Sequence, residues 1–497
     1  MTKYLTIVLA AVIAGCAVGP DYKAPEMTEA ETFFAQEAKN SSDASHLHSP
    51  QLYSPNSFWQ GFDDPLLAGL VKRTLNNNYT LQAMLARYRE AESVLRLARR
   101  EQWPSITSYA DVTDQSLARS ESGVSGTVYD AGLALQWELD LFGRLERATE
   151  AALASLQASG ADLQAMQVVL VGQLTSSYIE LRGMQNQLAV TENNIALQQS
   201  SLQIVESRVR AGRGSRFDIL RARAQLEATR AAVPELRAGI RAHMHRIAVL
   251  TGQSPHALIA ELQESSPLPY SVHSLVLDAP GDVLRNRPDI RAAERKVAAA
   301  TARIGVATAD LFPRFTLSGL LGSYATSASD LFESGSDYRR VTLGIDWTFL
   351  DRAQVNARIN AADASAEAQL ASYRQAVLDA LEEVETWLVR HQQAKVRAAV
   401  LTEAVSAAEQ AVAQATTRYE RGYIDYFELL TTELELTRIR DAHVRSQTAE
   451  SLTMVNVYRA VAGAPEPFIF SAKASVSGND TEPENSVAPQ GEPYERG

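Results

Sequence analysis

One cysteine occurs in 497 residues, and no apolar run approaches the roughly 18–20 residues of a membrane-spanning helix. A lone thiol excludes an internal disulfide framework. Residues of metal-ligand type are equally thin. Seven methionines form no cluster, and His46/His48 and His243/His245 are spaced i, i+2, which separates side chains on a helix. No metal and no other cofactor is expected from such a set. The stretch "GRGSRF" (212–217) lacks the third glycine of a phosphate loop and joins two helical patterns instead of following a strand, so nucleotide binding is not expected there. Neither a nucleophilic triad nor a pair of catalytic carboxylates stands out, and the chain reads as a non-enzyme. A net charge of −12 argues against a nucleic-acid partner. Proline, finally, is missing from two very long stretches, about 146–211 and 353–421.

What is present begins at the N-terminus. Lys3, the apolar run Tyr4–Ala14 and then Gly15-Cys16 supply a basic start, a short apolar core and a small-residue end. That is the pattern of an export signal, too short to persist as a membrane helix. Residues 1–15 resemble a bacterial lipoprotein signal, in which Cys16 is acylated and becomes the mature N-terminus. Ala17 follows where an aspartate would tend to retain the lipoprotein in the inner membrane, so the outer membrane is expected.

The chain also repeats itself. "LQAMLARYREAESVLRLARREQWPSI" (81–106) aligns with "IRAAERKVAAATARIGVATADLFPRF" (290–315), "LQWELDLFGR" (135–144) with "LGIDWTFLDR" (343–352), and "SRVRAGRGSRFDIL" (207–220) with "TRYERGYIDYFELL" (417–430). Three blocks share an offset of about 210 residues, which implies a duplicated unit. Each copy reads as a helix stopped by proline, two strands, a very long helix, and a glycine turn followed by a returning helix. The predicted strands are about 105–114, 132–141, 314–322 and 340–350; the long helices are about 146–211 with 216–251, and 353–421 with 424–461. Leu174, Leu181, Leu188, Ile195, Leu202 and Val209 recur every seven residues, as do Ile219, Leu226, Val233, Ile240 and Ile247. Such spacing implies an antiparallel coiled coil. At the positions matching Val233 and Ile240 the second copy has His443 and Glu450.

The strands alternate. Leu133, Leu135, Trp137 and Leu139 share one face of the first hairpin, and Val341, Leu343, Ile345 and Trp347 one face of the second, with polar or small residues between them. Each run is about the length of a tilted membrane strand. Four strands cannot close a barrel, and open edges cannot sit in lipid, so the strands must pair with other chains. Two copies would give eight strands and three would give twelve.

The sequence resembles the TolC-like outer-membrane efflux proteins, in particular their acylated branch. The resemblance lies in "CAVGPDYKAP" (16–25), "FWQGFDDPLLAGLV" (58–71), "LQWELDLFGRLERATEAA" (135–152), "RNRPDIRAAERKVAAATARIGVATADLFPRFTLSG" (285–319) and "RYERGYIDYFELL" (418–430). It implies a mainly α protein with a membrane β-barrel: a homotrimer, lipid-anchored in the outer membrane, with a shared twelve-stranded barrel and a periplasmic tunnel of coiled-coil helices. Implied partners are a periplasmic adaptor (membrane-fusion) protein, an inner-membrane RND-type transporter and outer-membrane lipid. The implied function is the exit duct of a drug-efflux pump, gated at its periplasmic tip by the turns holding Arg208, Gly212, Tyr419, Gly422, Asp425 and Glu428. Tyr419 falls on the family's gate tyrosine and Glu428 on a gate carboxylate, while a second acidic position is Thr431 here. Two alternatives are a duct for ATP-driven protein secretion and a lipid-anchored coiled-coil spacer without a channel. The expected organisation is signal 1–15, arm 16–65, repeats 66–288 and 289–463, and a C-terminal segment 464–497 that is disordered from about 471, where Ser, Glu, Pro and Gly dominate.

Overall fold

A computed structural model describes residues 17–25, 55–116, 126–269 and 280–461. The described residues belong to one compact unit, and residues 467–497 lie outside them. The predicted signal, Cys16, most of the arm and the C-terminal tail also lie outside them.

Helices dominate. After a 3-10 turn at Pro55–Phe62 come α1 (Pro65–Asn77) and α2 (Tyr79–Glu101). Asp64 caps α1, its carboxylate accepting from the Leu66 and Leu67 amides at 2.9 and 3.0 Å. Strands β1 (Ser105–Gln115) and β2 (Gly126–Leu139) lead into α3 (Arg144–Arg210), then α4 (Arg216–Arg230) and α5 (Ala232–Leu250) return along it. Short helices α6 (Ile259–Leu262) and α7 (Pro280–Asn286) precede α8 (Pro288–Ala309). Strands β3 (Arg314–Ala325) and β4 (Asp337–Asp346) lead into α9 (Arg352–Glu420), and α10 (Tyr426–Val461) returns. Helices α3 and α9 have 67 and 69 residues, so each is on the order of 100 Å long.

The two halves of α3 bury different chemistry. Its first half packs on α8 through small residues: Ala154 meets Ala298 and Ala299 in one cluster, with Ala151, Ala158 and Ala161 also buried. Alanine keeps helix propensity high while letting two helices approach closely. Farther along, Leu174, Tyr178 and Leu181 are fully buried at i, i+4, i+7, an ordinary apolar stripe. The expected heptad recurs toward α4 and α5, where Leu226, Ile240 and Ile247 are buried.

Four strands form one antiparallel sheet in the order β1-β2-β3-β4. The central β2–β3 pairing joins the two predicted repeats through one sheet, with Gly132 opposite Gly322 and Trp137 opposite Leu317.

Three boundaries correct the sequence reading. The second strand starts at Gly126, six residues early, and stops at Leu139. The fourth spans 337–346 instead of 340–350, which leaves Trp347 beyond its end. The reason is local: the Trp347 indole N–H donates to the Leu311 carbonyl at 3.0 Å and Thr348 Oγ1 to that of Asp310 at 3.2 Å, pinning this stretch to the end of α8. Finally, the returning stretch 216–251 is two helices, broken at Ala231. Pro234 lacks an amide hydrogen and crowds the carbonyl four residues earlier, so the break falls one turn before it.

Candidate functional site

The sheet has one apolar and one polar face. Register rows on the apolar side read Trp137–Leu317–Leu343, Leu139–Phe315–Ile345 and Leu135–Gly319–Val341. On the other side they read Gln136–Ser318–Thr342 and Glu138–Thr316–Gly344. Val341, Leu343 and Ile345 are 79%, 63% and 63% exposed, and Leu133 is exposed as well. Contiguous exposed apolar surface of this kind marks a contact with lipid or protein. Strands β1 and β4 are the two edges, each with one unpaired backbone side within the chain. Trp137 and Trp347 sit at the foot of the sheet, each donating its indole N–H at 3.0 Å to a carbonyl at the end of the preceding helix, Gln102 and Leu311 respectively.

At the opposite ends of α3 and α9 two glycine turns lie side by side. Gly212 and Gly422 have φ +71° and +79°, the left-handed backbone that glycine adopts without strain. In both turns the glycine amide bonds the carbonyl three residues back, and the next amide bonds the carbonyl five back: Gly212 to Val209 with Arg213 to Arg208, and Gly422 to Tyr419 with Tyr423 to Arg418. That is a Schellman cap.

Arg208 joins the two turns. Its guanidinium lies 4.4 Å from the centre of the Tyr419 ring and donates through Nη1 to the Tyr419 carbonyl. One cation thus serves the negative ends of both long helices. Tyr419 is buried in a cluster with Val205, Tyr426, Leu429 and Leu430, and burial pushes its phenol above the ordinary range. Glu428 is exposed. Asp425 is exposed too, and its carboxylate accepts from the Glu428 amide at 3.0 Å, capping α10. Phe217, Phe427 and Tyr423 project at the surface, 64%, 53% and 77% exposed, with Arg221 over both phenylalanine rings.

Sequence reasoning missed the seam between α3 and α10. Asn194, Gln198 and Ser201 are buried there, at heptad-like spacing, beside the apolar positions that the repeat identified. Ser201 Oγ donates to Glu433, which is 2% exposed, and burial raises the Glu433 carboxyl above its usual value. Arg440 Nη1 donates to Asn194 at 3.2 Å, and Gln187 Nε2 to Asp441 at 2.6 Å. Polar residues look like solvent-facing positions in a sequence, so only a second seven-residue register on α3 could have signalled them. The polar replacements His443 and Glu450 are accommodated: His443 Nε2 lies 3.1 Å from Thr402 Oγ1, and Glu450 is buried.

Two further arginines acquire roles from the fold. Arg287, within the "RNRPDI" block, is 8% exposed and donates to Ala460 O at 2.7 Å, Asp289 at 2.7 Å and Glu383 at 2.9 Å. It ties α8 to the end of α10 and to α9. Burial pulls the Asp289 carboxyl upward, but the hydrogen bond and charge of Arg287 outweigh it and hold it below its ordinary value. Arg147 is buried at the base of the sheet and donates to the Val18 carbonyl at 3.2 Å and to Asp21 at 2.6 Å. It fastens the segment 17–25, whose Val18 amide bonds the Phe142 carbonyl at 3.2 Å. A side chain on Gly143 would collide with Ala17 at 2.6 Å, and one on Gly19 with Gly305 at 2.5 Å. Ala17 therefore lies at the foot of β2, where strand gives way to helix. Among the described residues no cluster of three or more metal-ligating side chains occurs.

Comparison with known proteins adds the relationships. The profile described as "Outer membrane efflux protein" matches residues 70–253 and 279–463. Nodulation protein T of Rhizobium leguminosarum bv. trifolii is 29% identical over 469 residues, covering 92% of this chain and 96% of its own. The toluene efflux pump outer membrane protein TtgF of Pseudomonas putida is 27% identical over 467 residues, covering 93% and 97%. The solved structure of the outer-membrane channel OprN matches with a TM-score of 0.84 at 38% identity, over 91% of this chain and 100% of that one.

Proposed function

The chain belongs to the outer membrane efflux protein family, and we propose that it is the exit duct of a tripartite pump, passively passing small toxic compounds outward. Its place is the outer membrane. In this reading three copies each lend β1–β4 to a twelve-stranded barrel, with the apolar face toward lipid and the polar face toward the lumen. Helices α3 with α4–α5, and α9 with α10, supply the tunnel wall below it. The observation that carries the reading is the sheet itself: four strands with two open edges and an exposed apolar face have no stable place in water as a single chain. That relatives are named for toluene and solvent efflux supports small apolar cargo.

The lipid anchor is placed at Cys16. Its neighbour Ala17 packs against Gly143 at the sheet-to-helix junction, so acyl chains on Cys16 have a short path to the bilayer. The gate is placed at the paired turns of Gly212 and Gly422. There Arg208 and the buried Tyr419 hold the hairpins together, while exposed Glu428 and Asp425 supply charge. A periplasmic adaptor and an inner-membrane RND-type transporter supply the energy. Residues 66–288 and 289–463 are read as copies of one duplicated unit, supported by the matched glycine caps and the matched Trp137 and Trp347 bonds.

Planar-bilayer recordings test the duct. The wild type should conduct in rare, brief openings, and Glu428→Ala should raise open probability severalfold. Unchanged conductance and unchanged antibiotic permeability in that variant remove Glu428 from the gate.

A further inference from the structure

One register row of the sheet reads Tyr109–Gly132–Gly322–Tyr338, with an aromatic residue on each edge strand and a glycine on each central strand. The row lies on the polar face. The Tyr109 and Tyr338 hydroxyls are hydrogen-bonded to each other, and Tyr338 donates to Asp130 Oδ1 at 3.1 Å, which leaves Tyr109 as the donor to Tyr338. The edge strands are three interstrand steps apart, roughly 14 Å. Two tyrosines bridge that span only if both side chains run inward across the central strands.

Glycine makes the crossing possible. A Cβ on Gly132 would lie 2.9 Å from the Tyr109 hydroxyl, and one on Gly322 would lie 3.2 Å from it. The same Cβ on Gly132 would press on the Leu321 carbonyl at 2.5 Å and on Gly322 Cα at 2.7 Å, so the two central strands leave no room for a side chain at this level. Curvature follows from the contact. On a convex face side chains diverge with height, whereas on a concave face they converge, so the face on which the two hydroxyls meet is the one toward which the sheet bends.

We infer that this row is a curvature lock: it ties the two edge strands of one chain together across its own sheet and presets the arc that the chain contributes to a shared barrel. The lock rests on the duct reading, because only there does a preset arc with open edges find partners. It acts before assembly, holding β1 and β4 in the orientation that pairs with neighbouring copies and disfavouring a flat edge-to-edge association.

A double-mutant cycle on the full-length protein in mild detergent tests it, using Tyr109→Phe, Tyr338→Phe and the pair, read by thermal dissociation and unfolding of whatever species the wild type forms. Tyr338→Phe removes both hydrogen bonds and Tyr109→Phe only one. The lock predicts a drop of a few degrees for each, larger for Tyr338→Phe, with the double variant matching Tyr338→Phe alone. Additive losses, or no loss, overturn it. Gly322→Ala should lower yield and midpoint more than Gly319→Ala, whose Cβ meets nothing nearer than Leu135 Cβ at 3.6 Å on the opposite face. Equal behaviour of those two variants also overturns the lock. A wild type that is monomeric contradicts the duct reading, while the cycle still reports on the tyrosine pair.

Discussion

Arg208 is the residue on which the two glycine turns converge. Removing it deletes a hydrogen bond to a helix-end carbonyl and a cation–ring contact, together worth about 1–2 kcal/mol. Arg208→Ala should therefore speed amide exchange across 415–426 and raise antibiotic permeability. Tyr419→Phe keeps the ring under the guanidinium and should do less. Glu433 gives the tip a pH dependence. Burial lifts its folded pKa above the ordinary glutamate value of 4.5, so the packed tip binds the proton more tightly than the unfolded chain does. Its packing is then firmest below that value and weakens as pH rises through the shifted one. Amide protection factors over 426–437, which are corrected for the intrinsic rise of exchange with pH, should fall across that window in the wild type and stay flat in Glu433→Gln. Where α8 meets α9 and α10, Arg287→Ala leaves Asp289 and the Ala460 carbonyl without their cation and Glu383 with Arg459 alone. The expected loss is roughly 2–3 kcal/mol, below the ~3–5 of a fully buried pair because the carboxylates are partly exposed. Denaturant midpoints read it.

Among the elements, the long helices were the most legible. Proline-free, alanine- and leucine-rich runs with apolar residues every seventh position admit little else, and the glycines that end them were readable because only a left-handed cap explains glycine after such a run. Both caps should be sensitive in the same way: Gly422→Ala forces a side chain into φ +79° at a cost of about 1 kcal/mol and should fray the end of α9, seen as faster exchange at the turn. Less legible was whatever depends on a partner element. The break at Ala231 follows from Pro234, a residue the seven-residue count passes over. The early end of β4 follows from bonds that Trp347 and Thr348 make to α8, which no alternation of apolar residues encodes. The polar seam of Asn194, Gln198 and Ser201 was invisible for the same reason: its burial is created by α10, and in sequence it reads as a solvated face.

For the molecule as a whole, the sheet decides the interpretation. The apolar face of β4 and the unpaired edges of β1 and β4 are unsuited to water, and the family to which the chain belongs works in the outer membrane. The four strands were recognisable from the period of two. The β2–β3 pairing that joins the two halves was not, because register between distant strands is set by the row of contacts and not by either strand alone. Cys16→Ser should lose the acyl mass and weaken membrane retention, while the contacts of residues 17–25 with Arg147 and Gly143 persist. The central claim, a barrel shared between chains, is tested most directly by the native mass of the mature protein extracted from outer membranes in mild detergent. Three acylated chains in one particle are the predicted result; a single chain, released without detergent, would contradict the account.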